Sequence, residues 1–198
     1  MTFTSVLLVQ LVLAFWQNEP TQQPDGKIHL QNPSFEDIPR ASACPTGWVS
    51  FTPGCTPDIM PGAWGVQVLP KDGLSCLALV VREDGTREDI SQRLPQTLKP
   101  AICYTITIYL AHSPQYVGYN LPARLRIWGG SGREKHQLLA TSVLIDHPEW
   151  KEYKFQFVPN HEMRYITLEA FYAPGSLRHY RGNVLIDHCS PIERCDRA

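Results

Sequence analysis

Charge is scarce in this sequence. Asp, Glu, Lys and Arg make up 19% of the 198 residues, and the formal net charge is −1. A soluble domain usually carries about a quarter charged residues. Without a basic field there is nothing to neutralise a phosphate backbone, which argues against nucleic acid as a partner. The same deficit argues against electrostatic attachment to an anionic membrane. Catalytic signatures are also missing: there is no G-x-S-x-G elbow, no H-E-x-x-H helix and no phosphate-cradling glycine loop. The seven His, at 29, 112, 136, 147, 161, 179 and 188, never fall two or four residues apart. A local zinc site therefore has no support. No two cysteines form C-x-x-C, so a zinc ribbon or thioredoxin-like motif is not indicated. No window of a dozen residues carries a 3.6-residue apolar stripe, which leaves little room for amphipathic helices.

One apolar run, Val6 to Trp16, stands out. It is short for a bilayer span and has the length of a signal-peptide core. Residues 1–16 are read as a signal peptide and 17–26 as a flexible polar segment. The expectation is an exported chain, in the periplasm, at the cell surface or secreted, with no membrane-spanning segment once matured. Six cysteines, at 44, 55, 76, 103, 189 and 195, fit disulfides in an oxidising compartment. Six allow 15 pairings, so most of the connectivity stays open. Cys44 with Cys55, in one Pro/Gly-rich loop, is the favoured pair. Cys189 with Cys195 is a second, closing the C-terminus. Cys76 and Cys103 read as core residues.

From residue 27 the chain alternates. In Tyr104 to Leu110, the residues Tyr104, Ile106, Ile108 and Leu110 share one face and Thr105, Thr107 and Tyr109 the other. The stretches 75–81, 123–128, 138–145, 151–158, 165–172 and 183–188 also read as strands, separated by turns such as Asp84-Gly85 and Gly129-Gly130. The pattern predicts an all-β fold, an antiparallel β-sandwich of jelly-roll type over residues 27–192, with 193–198 as a tail. The expected core holds Ile106, Ile108, Ile127, Phe155, Phe157, Leu168 and Ile186. Residues 40–72 form a long loop rich in Pro, Gly and Trp, and loops of that length are often functional. Residues 90–99 show no clear period.

The opening Asn32-Pro33-Ser34-Phe35-Glu36 and the closing Gly182-Asn183-Val184-Leu185-Ile186-Asp187 resemble the ends of galactose-binding-like jelly rolls, the fold of many carbohydrate-binding modules. Gly47-Trp48, Asp72-Gly73, Gln92-Arg93-Leu94 and Cys103-Tyr104 lie between them in the expected order. Thr56-Pro57-Asp58, the stretch Tyr119 to Gly130 (YNLPARLRIWGG) and Glu149-Trp150 are similar to surface modules of Bacteroidetes-type bacteria. The resemblance implies a structural Ca²⁺ where the first and last strands meet. Glu36 and Asp187 would be its side-chain ligands, with carbonyls near Asn32 or around Asp72-Gly73 completing the shell. The alternative at those residues is a hydrogen-bonded or salt-bridged seam without metal.

Sugars offer apolar C–H faces and a rim of hydroxyls, which aromatic rings and polar side chains recognise. The residues of that kind are His112, Gln115, Tyr116, Tyr119, Asn120, Arg124 and Arg126, joined by Asp58 and Trp64 from the other long loop. Trp48, Trp128 and Trp150 are taken as packing residues. The leading expectation is therefore non-catalytic binding of a glycan outside the cytoplasm. The second is a cell-envelope protein as partner, with this chain a subunit of an envelope or adhesion complex. A carbohydrate-active enzyme is third. Shape separates the first two: a concave groove with convergent polar groups suits sugar, and a broad flat apolar patch suits protein.

Overall fold

The computed structural model describes residues 26–195. The leader expected at 1–16 and all but the last residue of the segment 17–26 lie outside them. Eleven strands form two facing sheets. The larger sheet runs β1 (Asp58–Met60), β2 (Cys76–Val81), β10 (Gly182–Asp187), β4 (Tyr104–Ala111) and β8 (Lys151–Phe157). The short β11 (Glu193–Arg194) adds to β4, and β5 (Leu121–Pro122) pairs in parallel with the start of β10. The smaller sheet is β3 (Asp89–Leu98), β9 (Met163–Phe171), β6 (Arg124–Gly130) and β7 (Gln137–Thr141). The sandwich predicted from the alternation is the architecture observed.

Period two decides which residues meet between the sheets. Ile106 and Ile108 of β4, Ile127 of β6, Phe155 and Phe157 of β8, Leu168 of β9 and Ile186 of β10 all join one buried apolar cluster, as expected. The outward face of β2 and of the adjoining part of β10 is not solvated, however. Cys76, Ala78 and Val80 of β2, Ala111 and Leu185 form a second core with Met60, Val66 and Tyr116. The segments around 60–68 and 116–119 fold over the sheet and bring these last residues to it. That explains why β2 reads as a continuous apolar run: both of its faces are buried.

β1 and β3, like the short β5 and β11, depart from the sequence reading. β3 lies in the stretch without visible period, because its inward Gln92 is polar and its ladder with β9 slips between Arg93 and Leu98. Gln92 is buried yet satisfied, accepting from Gln31 N and donating to the Gln31 and Gly47 carbonyls. β1 sits inside the long loop, held to β2 and, through Arg40 and Ile59, to the chain before it.

The cysteines also differ from expectation. Cys103 is bonded to Cys195, while Cys44, Cys55, Cys76 and Cys189 are free thiols. The strand pairs Glu193–Thr105 and Arg194–Tyr104 carry the chain end back along β4 and set Cys195 beside Cys103. Residues 193–195 are thus part of the sandwich and not a tail. Cys189 cannot meet Cys195, because it is buried in the main core. Cys44 and Cys55 stay unpaired, and the Cys55 thiol is engaged with the backbone N–H and carbonyl of Asp89, each at 3.2 Å.

Candidate functional site

The ends of the domain meet at a seam over residues 71–75, and all four residues expected at the cation site are there. Asp187 Oδ2 accepts from Lys71 N (2.7 Å) and Asp72 N (3.1 Å), and its Oδ1 accepts from His188 N. Glu36 accepts from Leu74 N and Ser75 N. Asn32 donates to the Glu36 and Thr46 carbonyls, and Asp72 accepts from Ser34 Oγ. Gly73 is required: its φ is +64°, and a Cβ there would collide with the Glu36 carboxylate. Backbone N–H dipoles aimed at both carboxylates make this a hydrogen-bonded clasp. A cation at this place would share those oxygens with the N–H donors. Among the described residues no three His, Cys, Asp or Glu side chains gather as a metal site. Burial pushes the Asp187 carboxyl up to about 6, against the pull of the three N–H donors.

The expected ligand-binding residues divide. Asp58, Trp64, Tyr116 and Tyr119 line one hollow of about 260 Å³, together with Thr56, Arg82, Glu88 and Arg181. Tyr116 is almost fully buried and donates its hydroxyl to Asp58, so it is a wall of the hollow and not a platform for a ligand. Tyr119 packs edge-on against Tyr116 at 5.6 Å and stays partly open. Trp64 is 49% exposed at the rim, its backbone in the left-handed region at φ 54°. Such a conformation is costly for a bulky residue and tends to be kept where its position matters. His112 is buried and burial lowers its pKa, which corrects its expected role as a contact. Gln115 and Asn120 are exposed but line none of the cavities described here. Arg124 and Arg126 lie elsewhere, on β6 of the smaller sheet.

A larger cleft of about 600 Å³ adjoins the hollow, and Thr56, Arg82 and Tyr119 line both. The cleft continues past Thr52, Cys55, Thr86 and Arg87 to Lys135 and Glu169. Its position follows from the chain crossing between sheets. Glu88 N donates to Val80 O of β2, and Ala170 N of β9 donates to Glu88 O, so residue 88 bridges the two sheets.

Buried acids anchor the cleft. Glu88 is 1% exposed and is held by Val80 N, Thr56 Oγ1 and the Arg82 guanidinium. Burial pushes its carboxyl up to about 7, opposed by Arg82. Asp89 and Glu169 stand directly opposite in the β3–β9 ladder. Like charges in that register repel, and Lys135 resolves the conflict with its Nζ 2.7 Å from each. Asp89 also accepts from Ser50 Oγ and Thr52 Oγ1, and Glu169 from Trp128 Nε1 and Arg87 Nε.

Sequence reasoning missed Arg82, Arg87, Glu88, Asp89, Lys135 and Glu169. One signal was available. If Ile166, Leu168 and Ala170 face inward, Tyr165, Thr167, Glu169 and Phe171 must line the other face of β9.

No family model matches the chain, and no curated protein matches it. Solved structures share its fold at low identity. The Stig cyclase FisC from Fischerella sp. TAU, in complex with (3Z)-3-(1-methyl-2-pyrrolidinylidene)-3H-indole, superposes with a TM-score of 0.56 and 14% identity over 87% of this chain and 98% of that one. The CBM22-1 xylan-binding domain of Xyn10C from Paenibacillus barcinonensis gives 0.53 and 17%, over 87% and 97%. The K1 cleaved adhesin domain of Lys-gingipain from Porphyromonas gingivalis gives 0.51 and 12%, over 83% and 96%. At these identities the likeness establishes the sandwich fold and nothing finer.

Proposed function

We propose that this protein is a non-catalytic, extracytoplasmic carbohydrate-binding module that takes its glycan in the cleft between Trp64 and Glu169. The observation that carries this reading is the shape and chemistry of that cleft. It is concave, and hydroxyl, guanidinium, ammonium and carboxylate groups of Thr52, Thr56, Arg82, Arg87, Lys135 and Glu169 converge on it. The partly open ring of Tyr119 lines it as well, and Trp64 lines the adjoining hollow. A sugar ring needs that pairing of apolar face and directional polar rim. A flat apolar docking patch for an envelope protein is a poorer description of this surface. The xylan-binding neighbour is a fold-level analogy that agrees with the reading. The Cys103–Cys195 bond supports an oxidising, extracytoplasmic compartment, and surface display of the bacterial kind suggested by the LPARLRIWGG resemblance belongs to the same proposal.

The test is a glycan array followed by calorimetric titration. At least one glycan class binds, and Tyr119→Ala and Trp64→Ala each weaken it by about 1–2 kcal/mol, or roughly 5- to 30-fold. No glycan signal, with one stoichiometric partner captured from an envelope extract, overturns the reading in favour of the protein-binding alternative. One observation favours catalysis as a second reading. Glu88 is a buried acid raised to about 7 that lines the hollow, the property a general acid or base requires. Turnover of a bound glycan that is abolished in Glu88→Gln, with binding retained, would establish that reading instead.

A further inference from the structure

The outward face of the smaller sheet adjoins the cleft through Arg87. Three guanidinium groups crowd there around one ring: Arg126 Cζ lies 3.1 Å from the Phe171 centroid, Arg87 5.3 Å and Arg124 5.6 Å. Stacking on an aromatic face explains how each is held but not why three like charges are gathered, since their repulsion opposes folding. The usual remedy is a set of paired carboxylates, and here it falls short. Arg87 reaches Glu169 only at 3.5 Å, and that carboxylate is already engaged by Lys135 at 2.7 Å and by Trp128 Nε1.

Arg124 spends its Nε on the Tyr172 carbonyl, and among the described residues it makes no ion pair. Arg126 is more exposed to the problem. Its Nε is sealed from solvent without a partner, and among the described residues no hydrogen bond or ion pair satisfies any of its donors. Desolvation and the neighbouring Arg124 and Arg87 charges hold its pKa below the ordinary guanidinium value, with Glu169 opposing. Around Phe171 and the adjoining acids, four cations (Arg87, Arg124, Arg126, Lys135) face two buried carboxylates (Asp89, Glu169), an excess of positive charge in a chain whose net charge is −1.

We propose that Arg87, Arg124 and Arg126 form a subsite for the acidic group of an anionic glycan, a uronate carboxylate or a sugar sulfate, beside the cleft that Arg87 lines. This rests on the carbohydrate-binding reading and narrows it to acidic sugars. Guanidinium forks match planar carboxylates and sulfate edges with two parallel hydrogen bonds, and the surrounding rings keep the forks in place. An anion supplies the acceptors that Arg124 and Arg126 lack.

The experiment titrates the intact protein with hexagalacturonate, its fully methyl-esterified form, a chondroitin sulfate oligosaccharide, xylohexaose and a single-stranded oligonucleotide of matched charge. Variants are Arg124→Gln, Arg126→Gln and Arg126→Lys. Arg194→Gln, exposed on the other sheet, controls for net charge, and melting curves confirm folding. The expected result is at least about tenfold tighter binding of hexagalacturonate or the sulfated sugar than of the methyl ester, as charge-assisted hydrogen bonds imply. Added salt weakens it. Arg124→Gln and Arg126→Gln each remove about tenfold, Arg126→Lys restores only part, and Arg194→Gln binds like the parent. Which acidic ligand binds tells carboxylate from sulfate. If the methyl ester or xylohexaose binds as tightly as the acidic sugars, the subsite is overturned while the carbohydrate reading stands. If the oligonucleotide binds equally well, the surface is an unselective anion sink and the sugar assignment of the subsite fails. If nothing on the panel binds, the subsite is overturned, and the glycan array above decides the broader reading by itself.

Discussion

Replacing Lys135 by Met tests the electrostatic frame of the cleft. The ammonium sits 2.7 Å from both Asp89 and Glu169, whose side chains are only 2% and 3% exposed. Met keeps the length of the stem and removes the charge. Two carboxylates facing each other across the β3–β9 ladder then lose their common counter-ion. Removing one partner from a buried ion pair costs about 3–5 kcal/mol. Both acids keep other donors here, Ser50 and Thr52 for Asp89 and Trp128 for Glu169, so the lower end applies. The expected loss is about 3 kcal/mol, which lowers the melting temperature of a domain this size by about 6–12 °C. Urea denaturation near neutral pH measures it directly.

The sign of the pH dependence is fixed by Lys135 itself. Its pairing with Asp89 and Glu169 outweighs desolvation and holds its pKa above 10.5. A raised basic pKa stabilises fully below the unfolded value, and the effect is lost as pH rises through the folded one. The gap between parent and variant should therefore stay level from neutrality to about pH 10 and close above it. Lys99→Met, which breaks the exposed pair with Glu162, serves as the contrast and should leave the midpoint unmoved. A Lys135→Met loss below about 1 kcal/mol would show instead that the two acids need no counter-ion.

Three further outcomes follow from the same structure. Glu88→Gln should remove a pH slope: its folded pKa of about 7 exceeds the unfolded 4.5, so its contribution is present below 4.5 and lost as pH rises through 7; melting curves over that range show a decline in the parent and a flatter profile in the variant. Cys103→Ser should cost about 2–5 kcal/mol in denaturant, since the bond joins residues 92 positions apart, and reductant should lower the parent to match it. EDTA and added Ca²⁺ should both leave the melting temperature unchanged, because Glu36 and Asp187 are engaged by backbone N–H groups; a rise of several degrees with Ca²⁺ would show that the 71–75 segment rearranges to bind it.

The sheets were legible in the sequence where one face is apolar and the other polar. β4, β8 and β9 announce themselves by strict alternation, and their inward residues form the core. β3 was not legible, because the buried Gln92 breaks the apolar row and its satisfaction depends on Gln31 and Gly47, far away in the chain. From sequence alone Tyr116 reads as a ligand contact, because aromatics in loops suit sugars. Its burial depends on the 60–68 segment folding over β2, which no local pattern announces. The acids of the cleft were hidden for a related reason. Asp89 and Glu169 become neighbours only through the β3–β9 register, and Lys135 reaches them from the β6–β7 turn. The disulfide likewise depends on register, since β11 alone brings Cys195 to Cys103.

The position of the glycan site is tested most directly by mapping amide chemical-shift changes as the best oligosaccharide from the array is titrated into isotopically labelled protein. Shifts should concentrate at Thr56, Arg82, Thr86, Arg87, Tyr119 and Lys135, around the cleft. Shifts confined instead to the far surface around Lys99, Tyr104 and Arg194 would contradict that position.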